Sequence, residues 1–252
     1  MNPFYVPLSI AVGVAAGFLN VVAGGGSLIA MPVLIFLGLP SAVANGTNRV
    51  ALMAQNTVAV MNFRRKGYFD WKLGLTLAVP AAIGSMVGSS IAVSLPDEIF
   101  NKVLAVVMVV VLILTIWNPQ KKLKGNKETL TGRDKVIGAI VFFCVGVYGG
   151  FIQAGVGFII IAALTLLTGY SLVKVNSLKV FVIAIYTISS LIVFIVNGKV
   201  NWIIGLSLAV GNSLGAYLGS NFAVNKGDKW IKVILVIAVV AMSLKLLGVF
   251  SL

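Results

Sequence analysis

The chain of 252 residues has no histidine, one cysteine and only six acidic side chains. Without histidine, and with Cys144 alone, neither a mixed His/Cys metal site nor an internal disulfide can be assembled. The acids Asp70, Asp97, Glu98, Glu128, Asp134 and Asp228 all fall in loops or at the ends of apolar segments. No carboxylate sits deep in an apolar run, which removes the usual proton relay and the usual cation site of a pump. Hydrolysis inside a membrane would want a general base or a set of metal ligands, and neither is offered. An enzyme is therefore not expected, and no cofactor or metal is required. No Lys or Arg precedes Arg49, so the basic head of a signal peptide is missing and the first apolar segment is expected to stay in the protein. Cys144, inside the apolar run 140–147, reads as buried filler.

What is abundant is apolar. Hydrophobic residues make up 60% of the chain and charged residues 10%, against roughly 25% charged in a soluble domain. A helix needs about 20 apolar residues to cross a bilayer, and its backbone must be satisfied internally. Runs of suitable character lie at 4–23, 27–38, 44–63, 70–94 and 97–118, and again at 135–153, 157–168, 175–196, 201–224 and 228–249. Between the two sets, Lys121, Lys122, Lys124, Lys127, Arg133 and Lys135 interrupt the hydropathy. In a soluble protein the net charge of +13 would point to nucleic acid; concentrated between apolar helices, it marks a cytoplasmic linker instead.

The two sets are copies. Sliding the sequence by 131 residues aligns 17–93 with 148–224 without a gap, and 19 of these 77 positions are identical. The matches include the punctuation: Gly24 with Gly155, Gly26 with Gly157, Asn45 with Asn176, Gly67 with Gly198, and Trp71 with Trp202. Apolar helices match one another by chance at Leu and Val, but not across a framework of Gly, Asn and Trp. Equivalent loops differ in charge. Arg64, Arg65, Lys66 and Lys72 surround one loop whose counterpart holds only Lys199, while Lys102 stands alone where Lys226, Lys229 and Lys232 cluster in the second copy. Equivalent loops are thus expected on opposite sides of the membrane. The expected fold is an all-α integral membrane protein of two inverted-topology repeats. It has a membrane repeat at 1–118, a basic cytoplasmic linker at 119–134 and a second repeat at 135–252, with both termini outside. Ten helical segments are expected. The short ones, 27–38 and 157–168, either cross or form re-entrant hairpins with their predecessors, and eight spans is the alternative count.

Neutral polar residues, glycine breaks and isolated cations gather at matching places in both copies. The first copy offers Asn20, Gly24, Gly25 and Gly26, then Asn45, Thr47, Asn48 and Arg49, with Gln55 further on; the second offers Gln153, Gly155 and Gly157, then Asn176, Ser177 and Lys179. Asn, Ser and Thr at a helix start cap free amides, and such amides with the helix dipole attract anions. Broken helices in repeat-built transporters place their termini at the substrate. Two readings stand side by side: a small-anion site between the repeats, or caps without a ligand and cations that snorkel to the headgroups.

The segments GFLNVVAGGGSLIAMPVLIFLGLP (17–40), AVANGTNRVALMAQNTVAV (42–60), RRKGYFDWKLG (64–74), GYSLVKVNSLKV (169–180) and GKVNWIIG (198–205) resemble the sulfite exporter TauE/SafE family, over nearly the whole chain. That resemblance implies a bacterial inner-membrane permease exporting or importing sulfite, thiosulfate, sulfoacetate or a related organosulfonate. Where family members commonly show Thr-Ser, this chain has Thr47-Asn48-Arg49, which leaves room for a different substrate. The contrasting expectation is a non-transporting membrane scaffold or a binder of anionic lipid headgroups, for which the basic linker would serve.

Overall fold

The computed structural model describes residues 5–117 and 131–246. Among them the chain is helical throughout, in the order α1 (Tyr5–Val22), α2 (Ser27–Phe36), α3 (Ser41–Arg65), α4 (Trp71–Ser94), α5 (Asp97–Trp117), α6 (Gly132–Phe151), α7 (Val156–Leu167), α8 (Leu172–Val196) and α9 (Trp202–Leu246). Within α9, Gly227 takes φ 68° and ψ −169°, which breaks it into two arms. Among the described residues, five stretches are long and apolar enough to cross a membrane: α1, α4, α6, α8 and 202–227 of α9. Most of the linker lies outside the described residues, as do Glu128 and the side chains of Asp228, Lys229 and Lys232. The linker's last residues belong to α6, where Thr131 and Asp134 form a reciprocal capping box.

Local sequence explains the boundaries. Asp70 accepts a hydrogen bond from the Leu73 amide at the start of α4, and Ser171 accepts one from the Lys174 amide at the start of α8. Gly67 and Gly198, an aligned pair, end α3 and α8 with φ of 78° and 64°. There the amides of Tyr68 and Lys199 reach back to the carbonyls of Phe63 and Phe194 at 3.1 and 2.9 Å, the left-handed stop that glycine makes at least cost.

The helices assemble into two bundles. One buried cluster joins Ala16 of α1, Leu34 of α2, Ala44 and Ala51 of α3, and Leu208 of α9. Another joins Phe142 of α6, Ile161 of α7, Leu178 and Tyr186 of α8, and Leu77 and Ala81 of α4. Each bundle therefore takes the first three helices of one sequence copy and the fourth helix of the other. Small residues permit this. Along α9, Gly211 lies against Ile10 and Gly13, Gly215 against Val14 and Phe18, and Gly219 against Phe18 and Val21. Along α4, Gly84 lies against Phe143 and Val147, and Gly88 against Val147 and Phe151. Close backbone approach of this kind is what holds helices together where lipid offers no hydrophobic drive.

Contact order gives direction. Numbers rise together along α1 and α9, and along α3 and α9 through the bonds Thr47–Asn201, Gln55–Asn212 and Asn62–Ser220, so these three helices are parallel. Rising contacts likewise make α4, α6 and α8 parallel: Gly74 meets Phe181, and Ser85 meets Tyr186 and Ser189. Between α3 and α8 the order reverses, Gly46 meeting Phe194 and Lys199 while Arg49 meets Ser190. The second triplet thus runs against the first.

Charge divides between the two ends of the assembly. Among the described side chains, Arg64, Arg65, Lys66, Lys72, Arg133, Lys135, Lys174 and Lys226 lie at the end where α3 stops and α4, α6 and α8 begin, with Asp70 and Asp134. The opposite end has Lys102 and Lys199 with Asp97 and Glu98. At the basic end, the Tyr170 hydroxyl donates to Asp70 Oδ2 at 2.9 Å, and Lys174 Nζ lies 3.9 Å from the same oxygen and 3.5 Å above the Tyr170 ring. Burial, followed by the hydrogen bond to Asp70, holds the Tyr170 phenol above its usual range. Trp71 and Trp202 open α4 and α9 about half exposed, as interfacial aromatics do. Cys144 departs from expectation: it is exposed on the outer face of α6, because the face of α6 that packs carries Gly138, Phe142, Val145, Gly146, Gly149 and Gly150.

Candidate functional site

The two helix breaks meet. A Cβ placed on Gly24 would lie 2.6 Å from the Gly157 backbone, and one on Gly157 would strike Gly24 in return, so only two glycines allow this crossing. The break after α1 is closed by the amides of Ala23 and Gly24 donating to the Leu19 carbonyl at 2.8 and 3.0 Å. The break after α6 uses two left-handed residues, Gln153 at φ 66° and Gly155 at φ 71°. Gln153 is not glycine, and the strain it accepts coincides with a specific role: its Oε1 takes the Tyr186 hydroxyl hydrogen bond at 3.0 Å. Helices α2 and α7 leave these breaks from Gly26 and Gly155 without a side-chain cap.

Around this crossing the two copies exchange the same interaction. Asn45 donates from Nδ2 to the Phe151 carbonyl at the end of α6, 2.7 Å away, and its Oδ1 accepts from Arg49 at 3.2 Å. Arg49 also donates to the carbonyls of Gly149 and Gly150, to Ser190 Oγ at 2.8 Å, and lies against the Phe194 ring. In the other copy, Asn176 donates to the Val22 carbonyl at the end of α1, and its Oδ1 accepts from Lys179 Nζ at 2.8 Å. Lys179 further donates to the carbonyls of Asn20 and Val21 at 3.0 and 2.8 Å. Each asparagine–cation pair thus covers the carbonyl end of the first helix in the opposite copy, where the dipole is negative and the last carbonyls have no partner within the helix.

This arrangement revises the part given to the helix starts. Helix α3 begins at Ser41 after Pro40, and α8 at Leu172 after Ser171, so Asn45 and Asn176 lie in the second turn, where amides are already bonded within the helix. They pair with carbonyls instead of capping amides. Nor do the cations snorkel, since Arg49 and Lys179 are both fully buried.

All fifteen residues singled out from the sequence are buried, but not all reach the crossing. Thr47 is committed to the opposite loop, its Oγ1 accepting the Asn201 amide at 2.9 Å, and Gln55 pairs with Asn212 of α9 at 3.1 Å. Several buried donors have no protein partner: Asn20 Nδ2, Ser27 Oγ, Asn48 Nδ2, Arg49 Nε, Gln55 Nε2, Gln153 Nε2, Ser177 Oγ and Thr187 Oγ1. Tyr186, Thr187 and Ser190 were missed from the sequence. They form a polar cluster, YTISS at 186–190, inside the otherwise apolar run of α8. The described carboxylates all lie at helix ends, so two buried cations share the interior with donors and carbonyls and no counter-ion from the described residues.

These features define a multi-pass helical membrane protein with a polar centre built from both sequence copies. The chain belongs to the family described as sulfite exporter TauE/SafE, whose model matches residues 9–246. Its curated relatives are named as membrane transporters. It is 29% identical over 250 residues to the probable membrane transporter protein YfcA of Escherichia coli (strain K12), covering 98% of this chain and 91% of that protein. A probable membrane transporter protein of Haemophilus influenzae is 28% identical over 235 residues, covering 93% and 91%. ORF9 of a Sinorhizobium species, also named a probable membrane transporter protein, is 27% identical over 237 residues, covering 92% and 88%. No solved structure matches the chain. The chain is accordingly a membrane transporter by family, seated in the membrane through its apolar helices.

Proposed function

We propose that the chain is a secondary transporter for a small sulfur-containing anion, such as sulfite, thiosulfate, sulfoacetate or a related organosulfonate, bound where the two breaks cross. The observation that carries this reading is the pairing of two buried cations with buried donors that have no protein partner. A buried cation without a counter-ion is costly, and an anion relieves that cost while satisfying the donors. Arg49 and Lys179 supply the positive field. Asn20, Asn48, Gln153 and Ser177, together with Ser27 and Thr187, supply hydrogen bonds to oxygen atoms. Asn45 and Asn176 orient the cations. The sulfur chemistry comes from the family's description.

Transport proceeds by alternating access of two inverted repeats, with one bundle rocking against the other. The opposed directions of the helix triplets and the mirrored asparagine–cation pairs support this. By the excess of cations at one end, that end and the linker face the cytoplasm, and both termini lie outside. The test is flux of radiolabelled sulfite or sulfoacetate into proteoliposomes holding the purified chain. Accumulation that unlabelled thiosulfate competes away is expected; folded protein with no flux of any oxysulfur anion would overturn the reading. A melting series with sulfite, thiosulfate, sulfate, sulfoacetate and taurine then ranks the candidates.

A further inference from the structure

On the outer face of the assembly, α3 and α9 leave a groove of about 600 Å³ between them, walled by Ala54 and Val58 on one side and Val210, Leu214 and Tyr217 on the other, with Ala209 between. Its α9 rim is half exposed, so on a membrane-spanning pair of helices it opens to lipid. Along α3, the positions that follow at helical spacing are Met61 and Arg65, both exposed. Along α9, the position one turn beyond Tyr217 is Asn221, and there Lys66 crosses from α3 to donate to Asn221 Oδ1. The groove therefore runs into a pair of cations at the basic end. From Ala54 to Arg65 is about 16 Å of helix, close to the roughly 15 Å depth of one bilayer leaflet.

We propose that this groove holds an acyl chain of an anionic phospholipid whose phosphate is bound by Arg65 and Lys66. The apolar walls match a hydrocarbon chain, the cations match a phosphate, and their separation along α3 matches the distance between the two in one leaflet. Charge argues against a second copy of this chain as the occupant, because a symmetric contact through the groove would crowd the Arg65 and Lys66 of both copies. The duplication supplies an internal comparison. At the positions equivalent to Arg65 and Lys66 the second copy has Val196 and Asn197, so neither equivalent position carries a cation. The site belongs to one copy and one leaflet, and it is separate from the buried crossing proposed for transport.

Native mass spectrometry of the purified full chain, given equimolar phosphatidylglycerol and phosphatidylcholine with identical acyl chains, tests this. Preferential retention of one phosphatidylglycerol is expected. R65Q and K66Q should each lower that preference about fivefold, while R65K keeps it, and N197Q in the other copy leaves it unchanged. A54F, which projects into the groove, should lower retention of both lipids. Equal retention of the two lipids by the unaltered chain would overturn the proposal. So would undiminished preference in a folded R65Q/K66Q variant, or an equal loss in N197Q. Disulfide formation between copies through L214C in a C144S background would assign the groove to a second chain instead.

Discussion

Buried cations usually meet a carboxylate; here Arg49 and Lys179 meet backbone carbonyls at two helix ends. An Asn45→Ala chain loses the donor to the Phe151 carbonyl and one acceptor of Arg49, and melting in detergent should show a cost of about 1–3 kcal/mol. Asn176→Ala should cost a similar amount at the other helix end. Arg49→Gln should abolish the rise in melting temperature produced by the transported anion, whereas unchanged affinity would reduce Arg49 to a helix cap. Tyr170 carries a pH argument of opposite character. Its pKa is raised on folding, so the contribution of its bond to Asp70 is fully present below about pH 10, the usual tyrosine value. It is lost as pH rises through the higher folded value. Melting should therefore show no Tyr170-dependent change between pH 5 and 9, with an alkaline loss that Tyr170→Phe removes. The burial of these residues was legible, because polar side chains in apolar runs must be buried together or lost to the headgroups. Their partners were not: nothing in Asn45 or Lys179 says which carbonyl, more than a hundred residues away, each will meet. Cys144 misled for the same reason, since an apolar neighbourhood in sequence does not separate a core-facing position from a lipid-facing one.

Helix limits followed punctuation. Gly67, Gly198, Trp71 and Trp202 end or open helices where the repeat alignment placed them. The start of α3 lay three residues earlier than hydropathy indicated, at Ser41 directly after Pro40. The glycine stripes of α4 and α9 were legible as packing faces, but not that each would pack on a helix of the opposite copy. A Gly88→Leu side chain would run into the Val147 backbone, and Gly215→Leu into that of Val14. Each should cost more than about 2 kcal/mol, seen as loss of the monodisperse peak in detergent. The same change at Lys102, exposed and paired with Glu98 on its own helix, should be silent.

The orientation of the whole molecule rests on the unequal charge of its two ends. In a C144S background, a cysteine replacing Lys72 should be reached by an impermeant thiol reagent only from the cytoplasmic side, and one replacing Lys199 only from outside. Reversed labelling would sink the proposed topology while leaving the family assignment untouched. The exchange of helices between bundles has a further consequence, for biosynthesis. Helix α1 is the first described helix to leave the ribosome, yet the surface it packs against, α9, is the last. At roughly 5–20 residues per second, the 200 or so residues between Gly13 and Asn212 take on the order of 10–40 s to make. Throughout that interval the backbone exposed by Gly13 and Gly17 stands in the membrane without its final neighbour. A nascent chain halted before residue 202 should therefore be a substrate for membrane quality control, because α1 lacks the surface it packs against until α9 is made.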